Sequence, residues 1–354
     1  PCTVGKALGS VEKGVQIGRI ERFVADWERS SGSLTAPKAA SPTGKKVAIV
    51  GAGPAGLTCA VDVRRQGHEV VVFEAFHKAG GVMVYGIPEF RLPKALVASE
   101  AEVVESMGVD FEMNYLVGRT RKLSALLGED GFSAVFVGTG AGLPKFMDIP
   151  GENLVGVFSA NEYLTRTNLM KAYRRGQAAT PLYPSNRVAV LGGGNVAMDS
   201  ARMALRLGAE DVHILYRRTR EEMPARAEEI AHAMEEGVVF DFLRSPARVL
   251  GDQGGRVIAL EVTAFELGEP DASGRRSPVA IRGSETVVPY DTVIVAVGNE
   301  SNPLISRTTP ELKVDRRGHI LVDEKQKTSI DRVYAGGDIV LGAATVILAM
   351  GEGA

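Results

Sequence analysis

Short apolar runs that stop at glycine punctuate this chain. Val47-Ala48-Ile49-Val50 runs into Gly51, and Val188-Ala189-Val190-Leu191 runs into Gly192. Ala134-Val135-Phe136-Val137 and Thr292-Val293-Ile294-Val295-Ala296-Val297 stop likewise at Gly138 and Gly298. Continuous apolar runs bounded by glycine predict strands buried on both faces, as in parallel sheets. Upstream the period changes: Ile17, Ile20, Phe23, Val24 and Trp27 fall on one face at helical spacing. Ser30 to Gly44 is a Ser/Gly/Pro/Ala linker, and Leu143 to about Pro184 reads as a connector. Val257 to Tyr290 has strand character, broken by the turn-rich stretch from Gly268 to Gly274. The chain stops at Ala354 inside an apolar stretch that reads as an unfinished helix.

Two of these runs end in glycine loops of one type. The first is Gly51-Ala52-Gly53-Pro54-Ala55-Gly56 and the second Gly192-Gly193-Gly194-Asn195-Val196-Ala197. Strand, tight glycine turn and helix start bring backbone N–H groups and a positive helix end to a pyrophosphate. Two such loops predict two dinucleotides, and hydride transfer between them. The acidic position separates their roles. The first unit continues Val70-Val71-Val72-Phe73-Glu74, and a carboxylate there accepts from both ribose hydroxyls and repels a 2′-phosphate. The aligned position of the second unit is Tyr216, followed by Arg217 and Arg218. Guanidinium groups suit a 2′-phosphate. The first site therefore reads as FAD-binding and the second as NADPH-binding.

Gly138-Thr139-Gly140 is another reversal where small residues permit close approach of a cofactor. The tail carries Val333-Tyr334-Ala335-Gly336-Gly337-Asp338, a strand followed by a helix start with a carboxylate. Asp338 reads as a contact to the FAD ribityl and pyrophosphate, a role compatible with an ordinary helix cap. This order predicts an α/β chain of two Rossmann-like domains. Residues 44–150 begin the FAD domain, 151–298 form an NADPH domain that interrupts it and closes at Gly298, and 299–354 return to it.

Composition narrows the class. The 354 residues carry a formal net charge of −2, which offers no electrostatic case for nucleic acid or membrane binding. No apolar run approaches the roughly 18–20 residues of a membrane span. Two cysteines, Cys2 and Cys59, lie far apart. They suit a reducing, cytoplasmic compartment and supply no C-x-x-C dithiol of the kind disulfide reductases need. Cys59 reads as core packing, and the five histidines form no metal-ligand spacing. The chain begins Pro1-Cys2 without a methionine and reads as part of a longer protein.

Together the glycine loops, Glu74 followed by Gly80-Gly81, the Gly138-Thr139-Gly140 turn and Gly337-Asp338 resemble the two-dinucleotide-domain flavoproteins, over residues 44 to 354. Three segments narrow the resemblance: Gly81 to Lys94, Ser159 to Arg166, and Glu222 to Arg226. They are similar to the small (beta) subunit of NADPH-dependent glutamate synthase. They are equally similar to the large subunit of electron-bifurcating NADH-dependent ferredoxin:NADP oxidoreductase and to the matching part of dihydropyrimidine dehydrogenase. The Asn161 to Tyr173 stretch leans toward the bifurcating branch.

The resemblance implies further cofactor positions at Gly81, Arg91 and Arg226, and places Met83, Tyr85 and Phe90 beside the flavin. It implies that residues 1–40 are the end of an α-helical iron–sulfur domain and a linker. Cys2 and Glu21 would then be ligands to 4Fe–4S clusters, an incomplete set because a cluster needs about four ligands. NADPH would reduce the flavin, and electrons would leave singly for the clusters or an electron-transfer partner in a hetero-oligomer. That partner would be a glutamate synthase large subunit or a ferredoxin- or flavin-type subunit. No catalytic side chain is singled out, because hydride transfer needs none. A stand-alone NADPH–flavin reductase, a monooxygenase and a non-catalytic electron-wiring module remain open at this stage.

Overall fold

The computed structural model describes residues 15–32, 35–174, 176–271 and 274–354. Its first part runs α1 (Ile17–Ser31), β1 (Lys46–Val50), α2 (Pro54–Arg65), β2 (Glu69–Phe73), α3 (Val82–Tyr85), α4 (Lys94–Ser106), β3 (Val109–Glu112), α5 (Leu123–Leu127), β4 (Ala134–Val137) and β5 (Leu143–Pro144). The middle part runs β6 (Val157–Ser159), α6 (Ala160–Asn168), β7 (Arg187–Leu191), α7 (Asn195–Arg206), β8 (Asp211–Tyr216), α8 (Ala227–Glu235) and β9 (Val239–Phe242). It continues through β10 (Arg244–Gly251), β11 (Val257–Pro270), β12 (Arg276–Ala280), β13 (Thr286–Pro289) and β14 (Thr292–Val295). The last part holds β15 (Asn299–Glu300), α9 (Leu304–Thr308), β16 (Val333–Ala335), α10 (Asp338–Leu341) and α11 (Val346–Gly351).

Two parallel sheets organise these elements. The first has the order β16-β4-β1-β2-β3 and the second β6-β14-β7-β8-β9. Strand β16 pairs in parallel with β4, so the chain returns to its first sheet after building the second. The middle strands read as continuous apolar runs because both faces are covered: Ala48, Ile49, Val188, Val190, Val293 and Ile294 are fully buried. The two crossings between the sheets meet in a small antiparallel pair, β5 with β15, flanked by the exposed ion pair Lys145–Glu300 at 2.8 Å.

Three regions depart from the sequence pattern. The stretch read as a connector contains β6, a three-residue edge strand too short to show a period, and α6. Strands β10 to β13 form an antiparallel sheet set against the second domain, and β10 carries no clear alternation. Helix α1 forms where its period predicts, yet Ile17, Ile20, Phe23, Val24 and Trp27 are all exposed. Among the described residues no helix is long and apolar enough to cross a membrane.

Candidate dinucleotide sites

Gly51, at the end of β1, has a φ of 105°, and a Cβ there would lie 2.5 Å from the Gly138 carbonyl oxygen. Only glycine turns the chain so closely past β4. Gly56 lets α2 sit down on β1, since a Cβ would come within 1.9 Å of the Gly51 oxygen. Gly53 differs. It caps α2, and a Cβ there would meet only the Gly81 Cα, at 4.0 Å. Pro54 and Ala55 form the buried first turn, and Pro suits it because the first N–H of a helix has no internal partner.

Glu74 follows β2 and is buried. Its Oε2 accepts the Ala52 N–H at 2.7 Å and its Oε1 accepts the Phe76 N–H at 2.8 Å. Burial pushes this carboxyl above the ordinary value, and the N–H bonds pull it back. A carboxylate has about four acceptor sites, so capacity for further donors remains. Gly337 packs on the same turn, where a Cβ would lie 2.8 Å from the Ala55 Cβ. That contact sets Asp338, the first residue of α10, beside the glycine loop; its Oδ1 accepts the Ala344 N–H at 3.2 Å. The Tyr85 hydroxyl is pushed up to about 12, first by burial and then by the charges of Asp338 and Glu74. Thr139 Oγ1 is buried and has no hydrogen-bond partner, and Gly140 beside it has open space where a Cβ would go. An orphaned hydroxyl and an open Gly53 fit a polar group lying across this loop.

The second loop repeats the plan. Gly192 has a φ of 137° and passes the Ala296 carbonyl, which a Cβ would approach to 2.3 Å. Ala197 is buried where the first loop has Gly56. Gly194 caps α7 and faces open space, with nothing within 4 Å of a Cβ. Gly298 is similarly open. The Tyr216 ring lies against Gly193, where a Cβ would come within 2.6 Å, and its hydroxyl donates to the Glu222 carbonyl at 2.8 Å. The segment after β8 folds back onto the loop. Arg226 N–H donates to Asn195 Oδ1 at 3.0 Å, and Ala225 N–H donates to the Gly193 carbonyl at 3.1 Å. Val196 is exposed at the loop, as are Arg217, Arg220 and Arg226.

One expectation is corrected here. Arg218 does not share the exposed position of Arg217. It is 6 % exposed, with Nη2 on Asp271 at 2.7 Å and Nε on the Arg276 carbonyl at 2.7 Å. Successive residues leaving a strand point to opposite sides, so two adjacent arginines do not both face one ligand. Arg91 binds the second domain: its Nη1 holds Asp199 at 2.7 and 2.8 Å and its Nη2 holds Glu229 at 3.3 Å. Phe90 packs on the core of the second domain.

Glu222, Asp271 and Arg276 hold the segment after β8, and Asp199 holds Arg91, roles that the sequence alone did not assign. One signal was available: Thr219-Arg220-Glu221-Glu222 spells a capping box, which the turn after β8 forms. Glu21 is exposed on α1, and Cys2 lies outside the described residues. Among the described residues no group of His, Cys, Asp and Glu is arranged to hold a metal ion.

Residues 45–353 match the pyridine nucleotide-disulphide oxidoreductase family. The chain belongs to that family. It is 38 % identical to the NADP(+)-dependent formate dehydrogenase subunit beta of Moorella thermoacetica, covering 100 % of this chain and 52 % of that one. It is also 38 % identical to the glutamate synthase (NADPH) small chain of Halomonas elongata, over 99 % of this chain and 74 % of that one. The chain thus spans about half of the first relative and three quarters of the second. Among solved structures, FprA of Mycobacterium tuberculosis in complex with NADPH superposes with a TM-score of 0.73 at 20 % identity, covering 87 % of this chain and 82 % of that one. A thioredoxin reductase of Lactococcus lactis gives 0.64 at 20 % identity, over 87 % and 95 %. The fold read from the glycine loops and the resemblance to glutamate synthase small chains are both borne out.

Proposed function

We propose that this chain is the FAD- and NADPH-binding part of an electron-transferring oxidoreductase of the glutamate synthase small-chain type. One observation carries the reading: two helix-capping glycines leave room at the two loops, Gly53 with only the Gly81 Cα at 4.0 Å from a Cβ and Gly194 with nothing within 4 Å. The first loop is tied to the buried carboxylate of Glu74, and the second is followed, after Tyr216 on Gly193, by the exposed Arg217. The N–H groups of α2 and α7 would take the two pyrophosphates. Around the first, Gly51, Gly56, Gly81, Gly138 and Gly140 give close approach, while Glu74, Thr139 and Asp338 supply polar contacts. Around the second, Gly192, Asn195 and Ala197 shape the turn, and Arg217, with Arg220 and Arg226 nearby, meets the 2′-phosphate. Bound together, the two cofactors supply hydride transfer from a nicotinamide to a flavin.

A disulfide reductase is disfavoured by the thiols. Cys59 is buried, its thiol pushed up to about 12 by burial and by Asp62, so it gives almost no thiolate. Within the longer proteins of this type, electrons would pass to iron–sulfur clusters, with Cys2 and Glu21 in their ligand set, and on to a partner subunit in a cytoplasmic hetero-oligomer. The relatives named as subunits support that reading. The test is cofactor release: heat-denatured protein should yield FAD, and the native protein should bleach on anaerobic addition of NADPH. FMN alone, or flavin that NADPH leaves oxidised, overturns the proposal.

A further inference from the structure

One continuous segment, residues 80–92, runs from the first glycine loop to the helix that springs from the second. At its start Gly80 N–H donates to the Ala52 carbonyl at 2.7 Å, and Gly81 lies so close to Gly53 that a Cβ would come within 2.8 Å of its Cα. At its end Arg91 binds Asp199, on the second turn of α7, whose N-terminus is capped by Gly194. Two cations of that same helix lie over the Phe90 ring, the Arg202 guanidinium 4.6 Å and that of Arg206 4.1 Å from its centroid. Arg202 in turn holds Glu229 at 3.0 Å and Glu236 at 2.8 Å, so the anchor reaches into α8.

The segment is stiffened along its length. Gly86 and Ile87 N–H both donate to the Val82 carbonyl, and Arg91 and Leu92 N–H both donate to that of Pro88. Lys94 Nζ ties the Ile87 and Leu92 carbonyls at 2.6 and 2.7 Å. From the second domain, Asn168 Nδ2 reaches the Tyr85 and Gly86 carbonyls at 3.4 and 3.3 Å. The covalent crossings between the domains, by contrast, meet only in the two-residue pair β5–β15. A crossing so slight acts as a hinge unless other contacts fix its angle.

We propose that residues 80–92 are a strut that fixes the spacing of the two dinucleotide loops, with Phe90 and Arg91 as positioning residues for transfer between the bound cofactors. The proposal rests on the FAD and NADPH reading above. Its physical basis is the geometry of buried ion pairs. They contribute little net stability against a hydrophobic replacement, but losing one partner leaves an uncompensated charge, here Asp199, while Glu229 keeps Arg202 at 3.0 Å. Hydride transfer is steeply sensitive to donor–acceptor placement, so a small rotation about the hinge is enough to slow it.

The test uses the full chain carrying Cys2→Ser, with spin labels at the exposed positions of Glu105 and Glu235, one in each domain. Without added coenzyme, pulsed EPR should give a narrow distance distribution in the parent and a broad one in Arg91→Ala and Phe90→Ala. With coenzyme, FAD content and NADPH affinity should stay at parent values while the rate of flavin reduction drops roughly tenfold to a hundredfold. Should Arg91→Ala fail to fold, Arg91→Lys and Phe90→Leu carry the same test. An unchanged distance distribution together with an unchanged reduction rate overturns the strut. A parent protein that binds no flavin overturns the cofactor reading instead, and the EPR distances still judge the strut.

Discussion

Arg218 and Asp271 are joined at 2.7 Å across 53 residues, and the pair fastens the tip of the β11–β12 hairpin to the segment that follows β8. That relationship divides the two adjacent arginines. Arg217 is left exposed, where it would meet the 2′-phosphate on the proposed reading, while Arg218 shapes the backbone that carries it. Arg217→Ala should therefore raise KM for NADPH far more than for NADH. A charge-assisted contact contributes about 1.5–3 kcal/mol, or roughly tenfold to a hundredfold. Arg218→Ala should lower the melting temperature and weaken both coenzymes together. Steady-state kinetics with NADPH and NADH on the two variants check this; equal effects of Arg217→Ala on both coenzymes would remove its phosphate role.

Glycine at 194 separates binding from folding. Its φ of −92° and ψ of 175° are open to any residue, and a methyl there meets nothing within 4 Å. Gly194→Ala should change the melting temperature little, since the roughly 0.4–1 kcal/mol gained through the unfolded chain is opposed by the poorer helix capping of alanine at the N-cap of α7. NADPH binding should nonetheless weaken sharply, because the methyl stands where the phosphates approach. Thermal melts and fluorescence titration of the same sample give both numbers. Gly56→Ala makes the contrast, since its methyl would collide with the Gly51 carbonyl and the fold itself should suffer.

Glu74 ties the loop, and on the FAD reading it would also face the ribose. Glu74→Ala strips the Ala52 and Phe76 N–H groups of their acceptor, at a cost of about 1–3 kcal/mol for a buried donor. Glu74→Arg sets a cation at the same place. Both should lose FAD on gel filtration, read as the ratio of flavin to protein absorbance. Full flavin content in Glu74→Arg would contradict the assignment.

The strut gives the reaction an acid limit. Burial pushes Asp199 up to about 6 in spite of Arg91 beside it. The groups that face it are Arg91 from the strut, Glu229 from α8 and Arg202 on its own helix, with the charge of Lys94 further off. The folded value lies above the ordinary aspartate value of about 3.9. The folded state therefore binds this proton more tightly, and the stability that protonation confers is present in acid and lost as pH rises to about 6. The Arg91 tether has the opposite sign, because it needs the ionised form. Below about pH 6 the flavin reduction rate should fall with no loss of melting temperature from this group, and Asp199→Asn should abolish that acid limb. An acid limb that persists in Asp199→Asn would assign it elsewhere.

The two dinucleotide folds were legible because parallel strands buried on both faces leave continuous apolar runs, and because phosphate loops demand glycine. Glu74 was legible for the same reason, standing where β2 ends. Strand β6 was too short for a period, and the chain around it read as connector. Arg218 was misread because two neighbouring guanidinium groups look alike in a sequence, although the alternation of Tyr216 buried, Arg217 exposed and Arg218 buried separates them. The Arg91–Asp199 pair, 108 residues apart, leaves no periodic trace at all. Its partner's place on the buried side of α7, one turn before the equally buried Arg202, was the nearest hint.

The central claim is that a hydride passes directly between cofactors held at the two glycine loops. The most direct measurement is anaerobic stopped-flow reduction of the bound flavin with NADPH and with NADPH deuterated at the transferred C4 position. A flavin absorbance that disappears in one fast phase, slowed by deuterium, is the predicted result. Reduction at the same rate with both, or no reduction on any timescale, would contradict it.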